Sequence, residues 1–288
     1  MTKRNWNHDA EYGTTFDNRI VDPNFQEFIA ETISKKIFLK NTDGVMLDWW
    51  HDYHQSSSGY SEGQVRAARV SIATKLRDRF GSNKIILGNV NWRKDKATAQ
   101  FLNGVFLELY KEPYNSSASR LYRSSELAEI EKLLEFYEAN LAAPKLIALE
   151  GWRKTAESFE KVGYNYRDDR NSPENRKMAK LLTAMSVVVP TNGYILYGDN
   201  NPDTPNGDHG HDYYDFYSFD IGRPTGPRVK VSNGVSYKQH QEGFIAYNIT
   251  SRAKSFEIES SNRTVSIEPQ SGLFCKDSGE AFDCLTVD

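Results

Sequence analysis

Asp43-Gly44-Val45-Met46-Leu47-Asp48-Trp49 and Asn103-Gly104-Val105-Phe106-Leu107-Glu108-Leu109 follow one plan: a polar turn residue, a glycine, a short apolar run and then a carboxylate. Lys145-Leu146-Ile147-Ala148-Leu149-Glu150-Gly151-Trp152 is a third version, and Asn192-Gly193-Tyr194-Ile195-Leu196-Tyr197-Gly198-Asp199 a fourth. Lys84-Ile85-Ile86-Leu87-Gly88-Asn89-Val90-Asn91 is a related run that closes on asparagines. Brief apolar runs bounded by turn residues read as strands covered on both faces.

Helical periodicity fills the intervals. Asp22-Pro23 is a cap followed by proline at the first helical position, opening a helix through Phe25, Phe28, Ile29, Ile33 and Ile37. Ser61-Glu62-Gly63-Gln64 resembles a capping box ahead of Val65, Ala68, Ile72, Leu76 and Phe80. Leu127, Ile130, Leu134, Tyr137 and Leu141 mark a third helix, and Ser172-Pro173 opens a fourth through Met178, Leu181, Leu182 and Met185. Strands alternating with amphipathic helices predict a parallel sheet, and a (β/α)8 TIM-type barrel is the leading architecture. Two consecutive strands, those ending at Asn89 and Glu108, have no helix pattern between them, so one crossover is irregular.

Five such strands lie between Gly44 and Gly198, against eight in a closed barrel. The stretch before Asp22 can supply at most one more, so the expectation is a barrel lacking its amino-terminal strands. From about Val229 the pattern becomes short and alternating: Val229-Lys230-Val231, Val235-Ser236-Tyr237, Gly243-Phe244-Ile245-Ala246-Tyr247-Asn248, Ser255-Phe256-Glu257-Ile258 and Thr264-Val265-Ser266-Ile267. That predicts a small antiparallel β domain over 227–288, after a barrel-like domain over 1–226, with the junction at Gly222-Arg223-Pro224-Thr225-Gly226-Pro227.

The 288 residues hold 36 Lys+Arg against 39 Asp+Glu, a net charge of −3, which lacks the basic excess of a nucleic-acid binder. The longest apolar runs fall well short of the roughly 20 residues of a membrane span, so no membrane partner is expected. The amino terminus is polar and carries no secretory pattern, which leaves the localisation open. Cys275 and Cys284 are the only cysteines; a short disulfide and two free thiols are both open readings.

Side chains alternate along a strand, so Asp48 shares a face with Gly44 and Met46, and Glu108 with Gly104 and Phe106. Alternate barrel strands feed one layer, and active sites lie at the carboxyl ends of the strands. Asp48 and Glu108 are therefore the candidate catalytic pair. Two carboxylates flanking a glycosidic bond can protonate the leaving oxygen and attack the sugar or activate water, with spacing of roughly 5–5.5 Å for retention and 6.5–9.5 Å for inversion. Around them Trp50, Trp92, Tyr110 and Trp152 can offer flat faces to sugar rings. His51, Asn89, Arg93, Glu150 and Asp199 can hydrogen-bond hydroxyls. Either member of the Trp49-Trp50 pair can be the exposed one. His209-Gly210-His211 invites a metal reading, but zinc needs a further protein ligand. No phosphate loop, nucleophile elbow or His-Glu-x-x-His pattern is present, and no cofactor is expected.

The two Gly-Val-x-Leu-acid phrases, Tyr214-Asp215-Phe216-Tyr217 leading to Asp220-Ile221-Gly222-Arg223-Pro224, and Gly243-Phe244-Ile245-Ala246-Tyr247-Asn248 together resemble the glycosyl hydrolase-like (β/α)-barrel proteins over roughly 22–248. The resemblance implies a barrel followed by a β domain, an oligo- or polysaccharide substrate, Asp48 as nucleophile and Glu108 as acid/base. The rival reading is a non-catalytic carbohydrate-binding or structural protein on the same scaffold, whose acids would be engaged by Arg or Lys. A third, a metal-dependent hydrolase, would use His209 and His211.

Overall fold

A computed structural model describes residues 2–4, 15–17, 20–51, 60–109, 121–152, 171–199, 210–211 and 213–285. In chain order the elements are β1 (Thr2–Arg4), β2 (Thr15–Asp17), α1 (Pro23–Leu39), β3 (Gly44–Leu47), α2 (Glu62–Phe80), β4 (Ile85–Asn89), β5 (Gly104–Glu108), α3 (Ser124–Asn140), β6 (Leu146–Trp152), α4 (Pro173–Val188), β7 (Asn192–Asp199) and β8 (Gly210–His211). Then follow β9 (Val229–Ser232), β10 (Val235–His240), β11 (Gly243–Asn248), β12 (Lys254–Ile258), β13 (Arg263–Ile267), β14 (Ser271–Asp277) and β15 (Phe282–Cys284). The chain thus has an α/β fold, with parallel strands flanked by helices and a separate antiparallel β region. Among the described residues no pairing closes the parallel strands into a barrel.

The helix starts follow local chemistry. Asp22 Oδ1 accepts from the Asn24 N–H at 2.9 Å ahead of Pro23. Ser61 and Gln64 form a reciprocal capping box, and Ser172 Oγ accepts from the Asn175 N–H. Each side chain satisfies an N–H that the first helical turn leaves without a partner. No described helix is long and apolar enough to cross a membrane.

Contacts divide the chain into two compact units, residues 1–106 with 140–144 and residues 107–139 with 145–288. In the first, β3 runs parallel to β4 from Gly44↔Ile85 to Leu47↔Gly88, and β4 runs parallel to the start of β5. The irregular crossover between β4 and β5 is a single 3₁₀ turn at Ala99–Phe101. Ile72, Leu76 and Phe80 of α2, Ile86, Leu102 and Val105 are buried. Asn103 acts as a joint: its Oδ1 accepts from the Ile86 N–H at 3.0 Å and from Arg77, and its Nδ2 donates to the Ala143 carbonyl. Helix α1 buries Gln26, Ala30 and Ser34, whereas Phe28, Phe38 and Leu39 are 61%, 52% and 86% exposed. Of the stripe read from the sequence, Phe25, Ile29, Ile33 and Ile37 are half-buried and Phe28 is exposed, so the stripe borders the packing face without being fully covered.

In the second unit β6 and β7 are parallel over seven residues, from Leu146↔Asn192 to Trp152↔Gly198, and β8 returns antiparallel along β7. Helix α4 packs against β6 and β7 and also against β10, β11 and β14. It consequently buries residues on every side, among them Met178, Lys180, Leu182, Ser186 and Val188. A Cβ on Gly193 would lie 1.6 Å from the Ser186 carbonyl oxygen, so only glycine lets β7 pass this helix so closely. The antiparallel strands run in the order β15-β14-β11-β10-β9, with β12–β13 as a separate hairpin. Val235, Tyr237, Phe244, Phe256, Ile258 and Ile267 form one core between them. Arg228 binds Glu131 and Glu135 of α3 together with Ser236 and Tyr247. Cys275 and Cys284, opposite each other on β14 and β15, form a disulfide, which decides between the two cysteine readings.

Candidate active site

In the first unit the side chains at the carboxyl end of β3 and β4 form one hydrogen-bonded group. Asp48 follows β3 directly, and its exposed carboxylate accepts from Asn89 Nδ2 at 2.9 Å. Asn89 is itself buried, and its Oδ1 accepts from the Asn91 N–H at 3.2 Å. The chain then turns sharply. Trp49 takes φ +51°, and the Trp50 N–H donates to the Asn89 carbonyl at 2.6 Å. Trp49 projects its ring into solvent, 52% exposed, while Trp50 is buried. The Trp50 indole N–H donates to Thr98 Oγ1 at 2.8 Å, and the Arg69 guanidinium covers its ring at 4.9 Å. Arg69 and Thr98 both converge on Asp95, which is wholly buried. A buried ion pair with this many polar contacts holds the tryptophan in one place. His51 is buried with Nε2 3.5 Å from Asn91 Nδ2; Trp92 is half-buried and Arg93 exposed.

Strand parity agrees with the alternation read from the sequence. Met46, on the Asp48 face of β3, is 49% exposed. Phe106 and Glu108 of β5 are half-buried while Val105 and Leu107 are buried.

In the second unit Glu150 lies on β6 with its side chain buried, and its Oε1 is 2.7 Å from His211 Nε2. The Leu109 N–H donates to the Glu150 carbonyl at 3.1 Å, which brings the end of β5 alongside β6. The Trp152 side chain is buried, and its backbone N–H donates to the Tyr122 hydroxyl at 2.9 Å. Burial drives the Tyr122 hydroxyl well above the ordinary tyrosine range; the Trp152 N–H opposes this, and the charges of Glu126 and Glu150 add to it. The phenol is therefore a neutral donor and acceptor at every ordinary pH. Asp199 ends β7, paired through its backbone with Gly210. Tyr110 lies outside the described residues, as does His209 of the metal reading. Among the described residues no group of three or more His, Cys, Asp or Glu side chains can hold a metal ion.

The structure therefore gathers Asp48, Asn89, Trp50 and His51 at one strand end of the first unit, and Glu150, His211 and Trp152 at one strand end of the second. Sequence reasoning passed over Arg69, Asp95, Thr98 and Tyr122. Asp95 and Thr98 carry a detectable signal, since Asp95 Oδ1 accepts from the Thr98 N–H at 3.1 Å as a capping aspartate does. Tyr122 carries none, because its partners lie on strands remote in sequence. No family model matches the chain, and no curated protein matches it. What is established is a parallel-stranded α/β scaffold of a general, enzyme-compatible kind.

Proposed function

We propose that the protein is a glycoside hydrolase-like enzyme that cleaves O-glycosidic bonds of an oligo- or polysaccharide with Asp48 and Glu108, on a barrel-type scaffold followed by a β domain. One observation carries the reading. Asp48 stands exposed at the carboxyl end of a parallel strand, oriented by a buried amide, and no Lys or Arg among the described residues pairs with it. A carboxylate retained only to stabilise the fold would be expected to meet a cation, as Asp95 meets Arg69. In this mechanism Asp48 attacks the anomeric carbon as Glu108 gives its proton to the departing oxygen, and Glu108 then takes a proton from the water that releases the sugar. Asn89 holds one oxygen of the nucleophile, so the attacking group is pre-oriented. Trp49, the exposed ring, joins the half-buried Trp92 as an aromatic surface for sugar, and the exposed Arg93 supplies a polar contact.

The test is turnover of a panel of natural oligosaccharides and aryl glycosides by the wild type, Asp48→Asn and Glu108→Gln. Loss of general acid/base assistance should cost about 10²–10⁴-fold on natural substrates, and less on aryl glycosides with good leaving groups for Glu108→Gln. Full activity in either variant would refute the assignment. Glycan binding without turnover in the wild type would instead favour the non-catalytic reading.

A further inference from the structure

A parallel ladder is regular: every second residue on one strand donates its N–H to one residue of the partner and accepts from the residue two further along. Leu109 begins such a step, since its N–H donates to the Glu150 carbonyl. The regular continuation would have the Leu109 carbonyl accept directly from the Trp152 N–H. Instead the Trp152 N–H donates to Tyr122 Oη at 2.9 Å, and Tyr122 Oη donates to the Leu109 carbonyl at 3.2 Å. A phenolic oxygen thus bridges the two backbones at this rung of the ladder. The hydroxyl suits that position because it is one donor and one acceptor in a single atom. Tyr122 is 2% exposed and lies two residues before the start of α3.

The rung lies one residue beyond Glu108 and two beyond Glu150. We propose that Tyr122 is a positioning residue: its hydroxyl sets the spacing of the backbones that carry Glu108 and Glu150, and through it the placement of the acid/base carboxylate. The catalytic part of this rests on the hydrolase reading above; the geometric part does not. Removing the hydroxyl takes away the bridge between the Trp152 N–H and the Leu109 carbonyl, and closure of the two backbones across the gap shifts both acids. A displacement of about 1 Å in a catalytic group can cost about 10²-fold in rate.

The experiment compares wild type, Tyr122→Phe and Glu108→Gln in two readouts. In steady-state kinetics on a glycan turned over by the wild type, Tyr122→Phe should lower kcat by about 10–10²-fold with KM within about twofold, and should move one limb of the kcat–pH profile. In parallel, 13C-carboxyl NMR, with signals assigned from Glu108→Gln and Glu150→Gln, follows the titration of both acids beside their neighbours Glu126 and His211. Tyr122→Phe should move at least one midpoint by about half a pH unit or more. Unchanged midpoints together with an unchanged kcat would overturn the proposal, even if the variant melts at a lower temperature. If Glu108→Gln keeps full turnover, or the wild type turns over no glycan, the hydrolase reading fails on its own and the carboxylate titration alone decides for or against Tyr122.

Discussion

Helices α1 and α4 read alike in sequence, each opened by a capping residue and a proline and each carrying a regular apolar stripe, yet they are buried to very different depths. Helix α1 turns Gln26, Ala30 and Ser34 inward and leaves Phe28, Phe38 and Leu39 exposed. Helix α4 buries eleven of its sixteen residues, polar ones included. Its buried polar groups have partners: Lys180 donates to the Leu285 carbonyl, Thr183 to the Ala179 carbonyl and Ser186 to the Thr183 carbonyl. The lesson is that a periodic pattern shows which residues a helix can bury, while the neighbours decide which it does bury. α4 has strands packed against it from two sheets, and α1 has chiefly α2.

Three measurements can break or sharpen this contrast. The largest effect is expected at the centre of α4. Leu182 is fully buried, and a Cβ on Gly151 would come within 2.4 Å of its methyl group. Leu182→Ala should cost about 2–5 kcal/mol in denaturant unfolding, and a loss below about 1 kcal/mol would mean that α4 is loosely packed. The next effect is on pH dependence. Burial depresses Lys180 and Lys238 to about 8 each; Lys238 lies against the Val187 and Pro190 carbonyls at the end of α4. The unfolded chain, with ordinary lysines near 10.5, binds more protons between pH 8 and 10.5, so stability should rise with pH across that window. The rise should be of order 1–3 kcal/mol, and Lys180→Met should flatten part of it. Above pH 10.5 the trend should reverse, because the buried hydroxyls of Tyr122 and Tyr247 resist ionisation in the folded state. A flat profile from pH 8 to 10 would contradict the buried charges. The smallest effect is expected on α1: Phe28→Ser should stay within about 0.5 kcal/mol. A loss above about 1 kcal/mol would show that something covers this stripe in solution.

What the sequence disclosed was local. Asp22-Pro23, Ser61 with Gln64, and Ser172-Pro173 marked helix starts because a cap acts within one turn. The Gly-Val-x-Leu-acid phrases became β3 and β5, with Asp48 and Glu108 at their carboxyl ends, because a short apolar run between turn residues has few other uses. Strands β14 and β15 were not legible: Ser271-Gly272 and Lys276-Asp277 frame the apolar residues of β14, and its place beside β11 comes from a partner more than twenty residues away. Which tryptophan of the Trp49-Trp50 pair would be buried depended on Arg69 and Asp95, distant on the chain, forming an ion pair beside it. The disulfide state of Cys275 and Cys284 required their strands to be set in register. Tyr122 was invisible for the same reason, as its hydroxyl has meaning only once Leu109 and Trp152 face each other.

The packing of β10, β11 and β14 on α4, with Arg228 gripping α3, has a consequence for how this protein can be cut and inherited. The antiparallel strands are not an interchangeable appendage, since one wall of their support is a helix that also backs the parallel strands. A protease nick in the Pro224–Pro227 turn should leave two fragments clasped together, and a lineage could exchange these strands for another module only by remaking that helix as well.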